Sequence, residues 1–154
     1  MDIKTRLEED MKQAARSKDK LRLSTIRLMR NAITNAELEK GKELDDGAVI
    51  EILGKLSRQY EDSIEAYKRG NRADLVEKET TELDILKEFL PQALSPEEIA
   101  EMVKGAIEGL GATSVKDMGK VMQELKSEYV GRASGRDVSE EVKRQLAAIS
   151  ARAS

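Results

Sequence analysis

The chain has 154 residues, a formal charge of -3, and neither histidine nor cysteine. At this length one domain or two small ones can enclose a core without covalent staples, and with only 3% aromatic residues that core is aliphatic. The missing imidazoles and thiols exclude Ser-His-Asp and Cys-His machinery, disulfides, iron–sulfur ligation and conventional structural zinc.

Chemistry, if any, falls to carboxylates, lysines and hydroxyls. A slightly acidic balance argues against a wholesale polyanion binder and leaves room for local basic patches. The amino terminus, MDIKTRLEEDMK, is charged from its second residue and has no apolar h-region, and no segment forms an apolar run of membrane-spanning length. These features predict a cytoplasmic protein with no membrane partner.

Apolar residues recur at three and four along nearly the whole chain, so the expected fold class is all-α. Ile3, Leu7, Met11 and Ala14 open a first amphipathic helix that Ser17–Asp19 interrupts. A second runs from about Lys20 to Glu39, turning Leu21, Thr25, Leu28, Met29, Ala32, Ile33 and Ala36 inward, and ends at Gly41. Asp45 or Asp46 is placed to cap a long third helix bearing Val49, Leu53, Leu56, Tyr60, Ile64 and Tyr67, which stops at Gly70. Asn71 is read as the cap of a fourth helix.

Pro91 cannot continue that helix and biases Leu90 away from helical angles, which sets a domain boundary at Pro91–Leu94. Ser95, Pro96 and Glu98 then read as a capping box with proline at the first helical position. Ile99, Met102, Val103, Ala106 and Leu110 line the inner face of this helix, and Gly109 and Gly111 end it. A helix from Ser114 to Val130 and a last one after Ser134, with Val138, Val142, Leu146 and Ile149 inward, complete the chain. The expected organisation is a bundle of about four helices over residues 1–91, followed by a small three-helix domain over residues 92–154.

Two polar features stand out. Arg22 falls inside the apolar arc of the second helix, between Met29 and Ile26 in angle, and Glu79 and Glu82 fall inside the arc that Leu75, Leu83, Leu86 and Phe89 set on the fourth. A charge buried alone is costly, so the pattern predicts a structural ion pair between Arg22 and Glu79 or Glu82. The second feature is the segment MGKVMQELKSEYVGRASGR. Gly119 lies among the apolar residues of that helix, where glycine costs about 1 kcal/mol against alanine, and this predicts close approach by a neighbouring helix.

Lys116 and Lys120 stand one turn apart on the outer face; the following loop adds Arg132 and Arg136, and Lys143 shares a side of the last helix with Arg136. With permissive glycines at 131 and 135, these cations and the loop amides can serve an anion such as a phosphate, or form a solvated rim. The glycines lack the Walker spacing and its Lys-Ser/Thr pair, so no nucleotide cofactor is expected. No residue set suggests a catalytic centre or a metal site.

Three stretches, RLSTIRLMRNAITNAELEKG, QYEDSIEAYKRGNRADLVEKETTELDILKEFLPQALSPEEI and MGKVMQELKSEYVGRASGR, occur in an order that resembles the YqeY family. These are stand-alone relatives of the carboxy-terminal region of GatB, the B subunit of tRNA-dependent amidotransferases. The resemblance implies a helical amino-terminal domain, a three-helix tail-like domain, and contact with tRNA rather than catalysis, since the amidotransferase chemistry takes place elsewhere in that complex. It transfers a tRNA-contacting role to Lys120, Arg132 and Arg136; Lys116 and Lys143 join them by position. The chain departs from the family where Lys126–Tyr129 replaces a common Met-Pro turn, and where Ser134 replaces a common aspartate.

The expected function is a noncatalytic tRNA-binding or amidotransferase-associated accessory protein, related to carbon–nitrogen ligase complexes without activity of its own. Its partners would be tRNA and an amidotransferase or other translation-related protein. A helical protein-interaction adaptor that binds no RNA is the alternative.

Overall fold

A computed structural model describes residues 1–153. The chain order is α1 (Ile3–Ser17), α2 (Lys20–Lys40), α3 (Asp46–Arg69), α4 (Ala73–Lys87), α5 (Pro96–Leu110), a 3₁₀ turn (Val115–Asp117), α6 (Met118–Tyr129) and α7 (Gly135–Ala153). Among the described residues there is no strand, so the fold is all-α. The contacts divide it into two units, Met1–Pro91 and Gln92–Ser154.

Local signals explain where the helices of the first unit start and stop. Asp2 accepts from the Thr5 amide at 2.8 Å and Asp19 from the Arg22 amide at 3.1 Å, satisfying donors that a helix start leaves open. The break between α1 and α2 turns on Lys18, at φ 59° in the left-handed region. At the start of α3 the two aspartates divide the work: Asp45 caps the helix through the Ala48 amide, and Asp46 accepts from the Ile3 amide, each near 3 Å. Asp46 thereby ties the first turn of α1 to the first turn of α3.

The reading of Asn71 as a cap does not hold. Arg72 occupies the N-cap position of α4 without a side-chain cap, and Asn71 sits at φ 58°, a left-handed turn that asparagine tolerates better than most residues. Its role is to reverse the chain, not to terminate orphan amides.

The core of this unit joins Ile3 and Leu7 of α1, Ile26, Met29 and Ile33 of α2, Val49, Leu53 and Tyr60 of α3, and Leu83, Leu86 and Phe89 from α4 onward. Burying an aliphatic side chain of this kind contributes about 1.5–3 kcal/mol, so this shared cluster, rather than helix propensity, holds the bundle. Leu28, expected inward, is 44% exposed. Thr25 takes a core position instead, its hydroxyl donating to the Leu21 carbonyl at 2.8 Å. The end of the unit is pinned to α1 by Arg6, which donates to the Glu88 carbonyl at 2.9 Å and lies 5.2 Å from the centroid of the Phe89 ring.

In the second unit the capping box forms as read: Ser95 Oγ accepts from the Glu98 amide and Glu98 from the Ser95 amide, both at 3.1 Å. Helix α5 ends at Gly111, whose φ of 64° suits glycine. Its inner face follows Ile99, Val103 and Ile107; Leu110, expected inward, falls on the same face but is the last residue of the helix and is 44% exposed. Val121 and Leu125 of α6 and Val138, Val142 and Leu146 of α7 close the core, with Met118, Met122 and Tyr129 packed against it.

The helix expected from Ser114 begins as a 3₁₀ turn. Asp117 reaches back to accept from the Thr113 amide at 3.0 Å and from the Ser114 amide, which holds its carboxyl below the ordinary aspartate range. Gly119 corrects the expectation of close helix approach. It is exposed, and a Cβ built on it would meet nothing within 4 Å.

Candidate functional site

The five cations singled out in the second unit do not converge on one point. Lys116 belongs to the 3₁₀ turn and Lys120 to the first turn of α6, both exposed. Arg132 lies in the connection from α6 to α7 and Arg136 in the first turn of α7. Ser150, near the end of α7, donates to the Thr113 carbonyl, so α7 runs back antiparallel to α6 and the two groups occupy opposite ends of a hairpin. With twelve residues in α6, those ends are about 18 Å apart. A single phosphate cannot bridge that distance; an extended polyanion can.

Arg132 and Arg136 also differ in kind. The Arg132 Nε donates to the Gln92 carbonyl at 3.1 Å, and its own carbonyl accepts from the Leu94 amide at 2.8 Å, so this arginine latches the start of the unit onto the turn before α7. Arg136 is open to solvent and meets Glu140 at 3.3 Å, an i,i+4 contact worth little at the surface. Lys143, two turns further along the same side, is exposed, with Glu140 between it and Arg136. Nearby, Arg144 holds the Glu141 carboxyl below its ordinary range through contacts of 2.7 and 2.8 Å.

The turn itself has one left-handed glycine, Gly131 at φ 76°. The N-terminus of α7 is already served, since Ser134 Oγ accepts from the Asp137 amide at 3.0 Å. Residues 92–154 hold nine Lys and Arg against ten Asp and Glu, so the unit offers an anion discrete side chains rather than a net positive field.

The ion pair read for Arg22 has different partners. Its guanidinium meets the Glu88 carboxylate through both terminal nitrogens, at 2.9 and 3.0 Å, and Asp10 at 3.0 Å. Glu88 first, and Asp10 with it, raise the arginine above its already high ordinary pKa. Glu79 and Glu82 are not among its partners. The angle on the wheel located a half-buried charge correctly, but partner choice depends on how far along α4 the crossing falls. Arg22 lies near the start of α2 and meets the residue just past the end of α4.

The family profile described as Yqey-like protein matches residues 4–146. The chain belongs to the YqeY family. Curated relatives include proteins named Altered inheritance of mitochondria protein 41, mitochondrial, from several fungi. The one from Lachancea thermotolerans is 42% identical over 93 residues, covering 60% of this chain and 50% of that protein. The one from Pyrenophora tritici-repentis is 38% identical over 137 residues, covering 82% and 76%. The one from Kluyveromyces lactis is 39% identical over 102 residues, covering 64% and 55%. The chain thus spans about half the length of two of these three relatives.

The cytoplasmic expectation is overturned by these relatives, which are named as mitochondrial proteins. The expectation rested on a charged amino terminus without an apolar h-region and on the lack of a membrane-spanning run, and neither feature speaks against a mitochondrial address, whose targeting segments are amphipathic rather than apolar. Among the described residues no helix is long and apolar enough to cross a membrane.

Sequence reasoning missed two roles. The latch made by Arg132 is invisible without the tertiary path of residues 92–94. The surroundings of Glu79 and Glu82 were also missed: with Arg22 elsewhere, the pair faces Tyr60 across a cleft between α2, α3 and α4. The signal was present, as two glutamates within an apolar arc opposite a tyrosine in the stripe of α3.

Proposed function

We propose that this YqeY-family chain is a noncatalytic tRNA-binding or amidotransferase-associated accessory protein, with residues 1–91 and 92–154 acting as two domains and the second touching RNA. The observation that carries this reading is the family match through residues 4–146, which takes in the segment bearing Lys120, Arg132 and Arg136. The spacing of the basic side chains supports an extended ligand read by its phosphates and shape rather than by its bases. With only a handful of cations available, affinity is modest and strongly salt-dependent.

The test is binding of bulk tRNA to the full chain across a salt series. A log–log slope of roughly -2 to -4 is expected for three to five phosphate contacts. Combining Lys116→Ala, Lys120→Ala, Arg136→Ala and Lys143→Ala abolishes binding while leaving the melting curve unchanged, because none of these side chains is buried. Arg132→Ala is measured separately, since it also releases Gln92. Negligible affinity at low salt, or affinity unchanged in the quadruple variant, overturns the reading.

A second reading, a helical protein-interaction adaptor, draws on Leu110 and Val115, exposed apolar side chains five residues apart at the end of α5 and in the 3₁₀ turn. It predicts capture of a protein partner that survives nuclease treatment and is lost in Leu110→Ser with Val115→Ser.

A further inference from the structure

A second candidate site is built into the first unit, from residues that play no part in the RNA reading. Helices α2, α3 and α4 enclose a cleft of about 470 Å³ within the range of small-ligand sites, with Tyr60, Glu79 and Glu82 on its wall. Tyr60 is 6% exposed, and its hydroxyl is buried without a hydrogen-bond partner. Buried hydroxyls are nearly always paired, so an unpartnered one in the lining of a cleft is a candidate contact for a polar group bound there.

The carboxylates make the same point. The Glu82 side chain is 13% exposed, and its one nearby cation is the exposed Lys78 at 4.0 Å. Glu79 makes no ion pair among the described residues, and burial first, then Glu82, raises its pKa. Burial likewise raises Tyr60, with the Glu82 carboxylate near enough to disfavour the phenolate but not in hydrogen-bonding geometry with the hydroxyl. Two carboxylates and an orphan phenol oxygen therefore face the cleft with one peripheral lysine between them. Its remaining walls are mixed: Leu28, Leu56 and Leu75 supply apolar surface beside the polar side chains of Ser24, Gln59, Ser63 and Tyr67.

We propose that this cleft binds an alkylammonium group, with Glu79, Glu82 and the Tyr60 hydroxyl accepting its three N–H donors and the leucines covering its methylene stem. An ammonium has three donors and no acceptor, matching what the cleft offers. A charged donor to a charged acceptor in a half-buried setting is the strong form of hydrogen bond, and the stem gains from apolar burial. A divalent metal is a poorer match, because no group of three or more acidic side chains lies together among the described residues.

The group can come from a free amine or from a lysine side chain presented by a protein, and one titration separates them. The isotope-labelled full chain is titrated with cadaverine, with Nα-acetyl-lysine N-methylamide, and with 1-pentanol as an uncharged control, following amide shifts. Saturable shifts at Gln59–Ser63 and Lys78–Leu83 with either amine, and none with pentanol, support the site. Response to cadaverine alone assigns a free amine, and response to the lysine amide alone assigns a protein-borne lysine. Glu79→Gln with Glu82→Gln weakens binding about ten-fold or more, the loss of a charged contact. Tyr60→Phe weakens it less and serves if the double variant does not fold. No saturable shift with either amine, equal response to pentanol, or unchanged affinity in both variants overturns the proposal.

Discussion

Arg22 shows how much depends on one side chain finding partners. Its planar fork meets Glu88 bidentately and still reaches Asp10, so it links α1, α2 and the end of α4. Its own exposure is 23%, but Glu88 is half exposed, and solvent screening limits what the network contributes. Arg22→Met is expected to lower stability by roughly 1 kcal/mol at low salt, with the loss shrinking as salt rises. Arg27→Met, on the exposed side of the same helix, changes stability by less than about 0.5 kcal/mol. Chemical denaturation of both variants checks this pair. Glu79 behaves in the opposite sense. Its folded pKa is raised, so the folded state favours the protonated acid; the stability this gives is present below the unfolded pKa of 4.5 and is lost as pH rises through the folded value. Glu79→Gln should therefore raise the melting temperature at pH 7, and the gain should vanish as the pH falls below about 4.

At the scale of an element, α6 carries the sharpest revision. A glycine within an apolar stripe was read as making room for a neighbour, yet no atom beyond its own helix lies within 4 Å of where its Cβ would be. Packing does not require Gly119, and its backbone freedom is then only a cost. Gly119→Ala is expected to stabilise the chain by about 0.5 kcal/mol, where a tight helix crossing would have made the same change destabilising. Thermal denaturation decides between them by sign. The start of the element was misread for a related reason. Asp117 draws the Thr113 and Ser114 amides into a 3₁₀ turn, and a side chain that competes with the helix ladder leaves no trace in hydrophobic periodicity.

At the scale of the molecule, each unit has its own core and its own capping residues, and the chain between α4 and α5 passes through Pro91. Residues 92–154 expressed alone should melt cooperatively, since their core draws on α5, α6 and α7 together; a fragment without cooperative unfolding would show that it depends on the first unit. The all-α class, the cap of α3 at Asp45 or Asp46, the capping box at Ser95 and most of the inward stripes were legible in the sequence, because periodicity and capping act within a few residues of chain. Leu28 and Leu110 were misjudged because a stripe gives the direction a side chain points but not whether a neighbouring helix extends that far. The same limit applies to the candidate sites. Sequence alone identified the five cations and the half-buried charges of Arg22, Glu79 and Glu82. Only tertiary structure decided that the cations occupy both ends of a hairpin, that Arg132 is partly a latch, that Arg22 belongs with Glu88 and Asp10, and that Glu79 and Glu82 face the orphan hydroxyl of Tyr60. Those outcomes depend on where helices cross along their lengths, and crossing points are set by contacts between residues far apart in the chain.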